Sequence, residues 1–218
     1  TNNDVQFLLI YCENTTTNAL NRMISKLELE VYEQLENDFN DITLFQLITE
    51  KIEKHYLRNG FCVIQLIQAD GTLRVTGHGS LPKQVAQHFT DEYREIYVAA
   101  KTEEIVETVI KRTDFLNKNF LHLETENKIT GIWIKPIFSK TGNLKGYISI
   151  FFTEFEKLDK ADINFLNRIT RLISLAQKYG EQKRELRKLA YYDTSINIPN
   201  SHYFRMKLDE WIKQGKEG

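Results

Sequence analysis

Side chains of the types that do chemistry are present in this sequence, but their spacing matches no common catalytic or metal-binding motif. The five histidines, at positions 55, 78, 88, 122 and 202, show neither His-x₃-His nor His-Glu-x-x-His spacing, and Cys-x-x-Cys does not occur. No serine lies in a Gly-x-Ser-x-Gly turn. Gly71, Gly77 and Gly79 do not form the Gly-x-Gly-x-x-Gly motif that opens a phosphate-binding helix. The sequence therefore predicts no metal, no cofactor and no enzyme activity for this chain.

Composition and charge limit the kinds of partner and the compartment that we expect for this chain. The 218 residues carry a net charge of −1 at pH 7, so no overall positive field favours nucleic acid. No run approaches the ~20 apolar residues that a membrane-spanning helix needs. Cys12 and Cys62 each lie in an apolar run, which favours buried thiols in a reducing compartment over a disulfide. Because the chain starts at Thr1 without a signal-peptide pattern, we expect a cytoplasmic piece of a longer protein.

The N-terminal elements come from two different patterns. Residues 4–16 combine apolar and aromatic side chains and end in a cluster of Glu, Asn and Thr, which predicts a strand. A connecting helix is predicted over 17–39, because apolar residues recur there at spacings of three and four. These are Leu20, Ile24, Leu27, Val31, Leu35 and Phe39. A second helix is expected to begin at Asp41, whose carboxylate can cap it.

Two β-hairpins are predicted in the middle of the chain. The first has Asp70-Gly71 at its turn, a dipeptide that accepts a positive φ. The second joins two β-branched and aromatic runs at Gly142-Asn143, and Pro136 should fall at an edge or a bulge. A short helix follows Pro82, whereas residues 103–111 fit either a strand or a helical turn.

A long helix is predicted from residue 160 to residue 190. Its apolar positions follow alternating spacings of four and three, which is the heptad pattern of a coiled-coil seam. The seam has seven apolar positions, Phe165, Ile169, Leu172, Ala176, Tyr179, Leu186 and Ala190, and one charged position, Lys183. One interpretation is that the whole seam pairs two copies in a homodimer. The other is that its first half packs on the domain's own sheet and only the half from Tyr179 to Ala190 pairs.

Three motifs in order resemble those of a known family. They are Ser80-Leu81-Pro82, Ala99-Ala100-Lys101 and the run Trp133-Ile134-Lys135-Pro136-Ile137. This set resembles the GAF domains of bacterial cyclic-di-GMP signalling proteins. The resemblance covers about residues 40 to 178 and implies an α+β fold. That fold has a GAF-like central antiparallel sheet flanked by helices, with long N- and C-terminal signalling helices. We place the GAF domain at 40–158, with its terminal helix and coiled-coil linker at 159–190.

The two ends of the chain resemble neighbouring domains of such proteins. Residues 191–218 resemble a truncated start of a GGDEF domain, and residues 1–16 resemble the last strand of a PAS domain. The GGDEF match rests on Asp193, Ile198, Pro199, Asn200 and Phe204, whereas Ser195, Ile196 and Asn197 depart from the family pattern. No Gly-Gly-Asp-Glu-Phe string occurs, so this chain lacks the loop that diguanylate cyclase chemistry needs.

The GAF resemblance also implies a pocket between the sheet and its helices. Its expected lining residues are Tyr97, Ala99, Phe115, Trp133 and Lys135. Many relatives carry a reactive cysteine in a Cys-Gly-x-Ala-Ala segment, but here Ile96 occupies that position, which excludes thiol chemistry there. Tyr97 replaces the following glycine and adds bulk that could fill the pocket. In the alternative interpretation the aromatic side chains simply pack in the core.

Together these patterns predict a sensory or regulatory GAF module. It would bind a small ligand or mediate dimerisation, and relay the signal through its helical linker to a C-terminal GGDEF output domain. Two alternatives stay open. The module could be a ligand-free dimerisation or protein-interaction scaffold, or it could regulate a phosphodiesterase that carries a degenerate GGDEF domain.

Overall fold

The computed structural model of the chain describes residues 2–36, 40–100, 105–109, 129–154, 156–193, 196 and 198–214. The chain divides into two units, Thr1–Ala176 and Gln177–Gly218. The first unit contains the helices α1 (Asn2–Glu36), α2 (Asp41–His55), α3 (Lys83–Glu92) and α4 (Arg94–Ala99). Its strands are β1 (Gly60–Ile67), β2 (Leu73–Gly77), β3 (Val106–Val109), β4 (Gly131–Phe138) and β5 (Leu144–Phe152).

One helix, α5 (Lys160–Tyr191), begins in the first unit and ends in the second. The remainder of the second unit is a two-stranded ladder and a final helix. The ladder pairs β6 (Tyr192–Asp193) with β7 (Ile198–Pro199), and the helix is α6 (Ser201–Gln214). The unbroken helix predicted from residue 160 to residue 190 is confirmed.

The sheet of the first unit has the strand order β2-β1-β5-β4-β3, and every neighbouring pair is antiparallel. Both predicted hairpins are confirmed. Gly71 and Gly142 lie in their turns with φ values of 79° and 78°, which is the left-handed region that glycine adopts without strain. The sequence left two interpretations for residues 103–111, and the described part of that stretch contains the edge strand β3.

Both faces of the sheet are covered, because alternate residues of each central strand enter different core clusters. On β1, Cys62, Ile64 and Leu66 join a cluster with α1, α2 and α5, which we call the terminal-helix face. Val63 of the same strand points to the opposite cluster, which includes residues of α3 and α4 and which we call the short-helix face. Burial on both sides explains why these strands read as nearly continuous apolar runs.

The prediction of a strand over residues 4–16 is wrong, because that stretch lies within the helix α1. Its assignment as the last strand of a PAS domain fails with it. The physical reason is that helix propagation is easy once a stable segment exists. The later part of α1 buries Ile24, Leu27, Val31 and Leu35 at no more than 3% exposure, so this confirmed stripe anchors a helix that continues to Asn2. Phe39, the last residue of the predicted stripe, lies outside the described residues.

The helix α2 begins at Asp41 as expected, but a different residue caps it. Asn40, not Asp41, is its N-cap, and the Asn40 side chain accepts a hydrogen bond of 3.0 Å from the amide of Ile42. The fold class is as predicted: an α+β domain with a five-stranded antiparallel sheet between helices.

Candidate functional site

Tyr97 lies at the centre of the short-helix face. It comes from the short helix α4 and is 2% exposed. Its hydroxyl lies 2.7 Å from Nε2 of Gln65 on β1 and 2.9 Å from the hydroxyl of Ser149 on β5. Gln65 and Ser149 are both fully buried and are diagonal neighbours on adjacent strands, since Val63 pairs with Ser149. A single phenol therefore joins α4 to the two central strands.

The direction of each hydrogen bond in this network follows from the number of protons available. Ser149 donates its only hydroxyl proton to Oε1 of Gln65 at 3.1 Å, so it must accept from Tyr97. Tyr97 in turn accepts from Nε2 of Gln65. The second proton of that amide points to the hydroxyl of Thr90 at 3.3 Å, and Thr90 donates to the carbonyl of Ala86 at 2.8 Å. The network satisfies each of these buried polar side chains.

Burial raises the pKa of the Tyr97 phenol well above its ordinary value, although its polar interactions with Ser149, Thr90 and Gln65 lower it. The phenol is therefore neutral at physiological pH. A neutral, fully paired phenol is not a general base or a nucleophile, so the arrangement is suited to positioning and not to catalysis.

Tyr147 makes a second connection between α4 and β5. Its hydroxyl donates to the backbone carbonyl of Tyr97 at 2.8 Å, and the two rings meet edge to face with centroids 5.1 Å apart. Edge-to-face contact is a favoured geometry for aromatic pairs. The backbone and the side chain of Tyr97 are thus both held by the sheet.

The structure does not bring the expected pocket residues together. Trp133 lies on the terminal-helix face, where its indole N–H donates to the carbonyl of Glu156 at 3.0 Å. Lys135 is half-buried and shares the face of Trp133, two residues along β4. Tyr97 lies on the other side of the sheet. Ala99 belongs to α4, and Phe115 lies outside the described residues.

Sequence reasoning missed Gln65, Thr90, Tyr147 and Ser149. A signal for two of them was present, because Gln65 and Ser149 are polar residues inside the apolar runs of β1 and β5. A polar residue at the core position of a central strand must find a partner in the core. The sequence alone did not show that the partner of both is Tyr97.

The predicted seam of α5 divides into two halves. Phe165, Ile169, Leu172 and Ala176 are at most 4% exposed and belong to the core of the first unit. This first half packs on the core of its own domain. The interpretation in which the whole seam pairs with a second copy is therefore wrong for these four residues. Tyr179 and Leu186 are 38% and 66% exposed, and Ala190 is also exposed.

The start of α5 is tied to the end of α2. The side chain of Asp159 accepts from the amide of Asp162 at 2.8 Å, and Asp162 accepts from the amide of Asp159 at 2.9 Å, a reciprocal cap. Tyr56, the C-cap of α2, donates its hydroxyl to Asp162 and stacks on Phe165. Burial raises the pKa of Asp162 above its usual range, while its hydrogen bond with Tyr56 lowers it.

Within the described residues, no three His, Cys, Asp or Glu side chains are grouped as metal ligands. In the same part of the chain, none of the helices combines the length and the apolar character that a membrane crossing requires.

Comparison with known proteins identifies the fold. No family model and no curated protein matches the sequence. Among solved structures, the chain is similar to the GAF domain of a phosphoenolpyruvate-protein phosphotransferase from Coxiella burnetii, with a TM-score of 0.55 and 14% identity over 74% of this chain and 96% of that one. It is also similar to the phycoerythrobilin-bound GAF domain of a cyanobacterial phytochrome, with a TM-score of 0.50 and 13% identity over 74% and 97% of the two chains. A third similar structure is the GAF domain of the Acinetobacter phosphoenolpyruvate-protein phosphotransferase, with a TM-score of 0.50 and 10% identity over 75% and 98%. The fold of this chain is therefore the GAF fold.

Proposed function

We propose that the chain is a regulatory GAF module, which dimerises through the second half of α5 and relays a signal along that helix to a GGDEF output domain of a bacterial cyclic-di-GMP signalling protein. The observation that carries the proposal is the contrast between the two halves of α5. One continuous helix has a core-packed first half and exposed apolar residues in its second half. A rigid element that belongs to a folded domain at one end can transmit a change of packing to its other end.

The exposed large apolar residues in the second half of α5 follow the spacing of a helical pairing surface. Tyr179, Leu186 and Leu189 are 38%, 66% and 58% exposed, at intervals of seven and three residues. That is the repeat of the a and d positions in a coiled coil. The charged residues between them, such as Arg184 and Lys188, suit the solvent-facing side of such a pair. A second copy of the chain would cover this stripe.

The residues after α5 favour a GGDEF-type output. Asn200, which matches the family pattern, also has a structural role, because its side chain accepts from the amide of Tyr203 at 2.9 Å and donates to the carbonyl of Ala190 at 2.8 Å. It therefore caps α6 and holds the last turn of α5 within the second unit. Ile198 and Pro199, which also match the family pattern, form the strand β7 beside it.

Between ligand binding and a ligand-free scaffold, the short-helix face favours the scaffold. The polar groups of Gln65 and Ser149, which could otherwise orient a ligand, are already paired with Tyr97. The phycoerythrobilin held by the phytochrome relative supports the ligand alternative. A thermal-shift screen of nucleotides and metabolites separates the two, because a specific ligand raises the unfolding temperature as its concentration exceeds its dissociation constant.

The relay is tested by changing the length of α5 in a fusion of this chain to an active diguanylate cyclase domain. Duplicating Glu181–Arg187 inserts seven residues and nearly preserves the helical phase, whereas duplicating Glu181–Glu185 inserts five and rotates the downstream part by roughly 140°. We expect the first fusion to keep the cyclase activity of the parent fusion and the second to lose most of it. Equal activity in both would contradict a relay through helix phase.

A further inference from the structure

The short-helix face contains a binding site that the chain occupies with its own side chain. We infer that the side chains of Gln65, Thr90 and Ser149 form a hydroxyl socket with specificity for a neutral phenol, and that Tyr97 is its intramolecular ligand. This inference does not depend on the proposed dimer or output domain, because it concerns only the core of the first unit.

The polar end of the socket matches a phenol hydroxyl both as a hydrogen-bond acceptor and as a hydrogen-bond donor. Nε2 of Gln65 donates to the oxygen, and the oxygen of Ser149 accepts the proton. A group with one donor and one accepting oxygen therefore fits, whereas a carboxylate, which only accepts, would leave the Ser149 oxygen without its donor. Gln65 is locked in this orientation by its bonds to Ser149 and Thr90. The socket is thus preorganised by groups other than its ligand.

The walls of the site are suited to an aromatic ring. The ring of Tyr147 meets the Tyr97 ring edge to face at 5.1 Å. Tyr97 belongs to the same core cluster as Val63, Ile132 and Phe151, which are all fully buried. Apolar walls that surround a small set of fixed polar groups are the usual construction of a small-molecule site.

A tethered ligand explains why the socket would be closed to free molecules in the intact chain. Because Tyr97 is part of α4, a free competitor must displace a group whose effective concentration is high. The carbonyl of Tyr97 is also held by Tyr147, which adds to the stability of the occupied state. We therefore expect the intact protein not to bind phenol, and a variant without the Tyr97 ring to bind it.

The test compares phenol with benzene, which differ only by the hydroxyl. In Tyr97→Ala, truncation at Cβ leaves a space of the shape of phenol, and we expect phenol to bind about tenfold more tightly than benzene, the difference that a hydrogen bond of ~1.4 kcal/mol supports. The matched control is Phe89→Ala, which opens a cavity in the same cluster and keeps the three polar side chains of the socket together with their ligand Tyr97. There benzene should bind at least as well as phenol. Dissociation constants come from thermal shifts and calorimetric titration.

Three outcomes would overturn the inference. In the first, Tyr97→Ala binds benzene as tightly as phenol. In the second, that variant is folded but does not bind phenol. In the third, the unaltered chain binds phenol as tightly as the variant does. If Tyr97→Ala does not fold, NMR of the unaltered chain decides. The Tyr97 hydroxyl proton should exchange slowly with water and show a nuclear Overhauser effect to the Gln65 side-chain amide. A hydroxyl proton that exchanges too fast to observe would overturn the inference by itself.

Discussion

The ring of Tyr56 stacks on the ring of Phe165, with centroids 3.8 Å apart and an angle of 22° between their planes. Tyr56 caps the end of α2, and Phe165 lies in the second turn of α5. The contact therefore fixes the long helix at its start, next to the reciprocal cap formed by Asp159 and Asp162. In the proposed relay, this is where the GAF core controls the position of the helix.

Removing the two parts of this contact separately should give graded losses of stability. Tyr56→Phe keeps the stacking and loses the hydrogen bond to Asp162, and we expect it to lower the free energy of unfolding by roughly 1.5–3 kcal/mol. Tyr56→Leu also loses the aromatic pair and should cost about 0.5–1.5 kcal/mol more. Urea denaturation followed by circular dichroism measures both. Equal stability of the two variants would show that the ring contact contributes nothing.

The hydroxyl of Tyr97 should be worth more than that of an exposed tyrosine. Tyr97→Phe leaves one amide proton of Gln65 and the accepting oxygen of Ser149 without their partner, so the free energy of unfolding should fall by about 1–3 kcal/mol. Tyr179→Phe is the matched control, because its side chain is 38% exposed, and its effect should stay within about 0.5 kcal/mol. The comparison is made by urea denaturation under identical conditions.

Stability should fall in alkaline solution, and Tyr97 should account for part of the fall. Burial raises the pKa of Tyr56, Tyr97 and Tyr147 in the folded state, whereas the same phenols ionise near pH ~10 when unfolded. The stability that these neutral phenols contribute to the folded state is fully present below the unfolded pKa. It is lost as the pH rises from there toward the raised pKa of the folded state. Above pH ~10 each strongly shifted phenol should reduce the free energy of unfolding by about 1.4 kcal/mol per pH unit.

The measurement is a series of urea titrations between about pH 9 and pH 11, for the unaltered chain and for Tyr97→Phe. The variant should show a smaller loss over this interval, since it lacks one of the shifted phenols. Identical losses in the two proteins would mean that Tyr97 ionises as easily in the folded state as in the unfolded chain.

Replacing leucine by glutamate should destabilise the protein strongly in the first half of α5 and hardly at all in the second half. Leu172 is 4% exposed, so Leu172→Glu would bury an unpaired charge and destabilise the first unit by roughly 4 kcal/mol or more. Leu186 is 66% exposed, so Leu186→Glu should change the stability of the monomer by no more than about 0.5 kcal/mol. In the proposed dimer the latter variant should weaken association.

Sedimentation velocity over a range of concentrations tests the association. The control is Lys188→Glu, which introduces the same side chain on the same helix outside the Tyr179, Leu186 and Leu189 stripe. We expect a monomer for Leu186→Glu and a dimer for both the control and the unaltered chain. If the unaltered chain is a monomer at high micromolar concentration, the stripe is not a surface for a second copy.

Much of the fold followed from local patterns in the sequence. The two hairpins were predictable because glycine at a positive φ and alternating apolar residues act over a few positions. The long helix α5 was predictable because its apolar residues keep a helical period from Phe165 to Ala190. The strand over residues 4–16 was predicted wrongly for a related reason: local β-propensity there was overruled by the helix that continues from the buried stripe ending at Leu35.

The candidate site depended on relationships that local patterns do not contain. The sequence by itself determined that Gln65 and Ser149 are polar residues within apolar runs, and that the seam of α5 has a heptad period. Only the tertiary structure decided that Trp133 and Tyr97 lie on opposite faces of one sheet, and that Leu172 is buried whereas Leu186 is exposed. The physical reason is that strand alternation and helical period fix which residues share a face, while the partner of that face is chosen by packing between segments far apart in the chain.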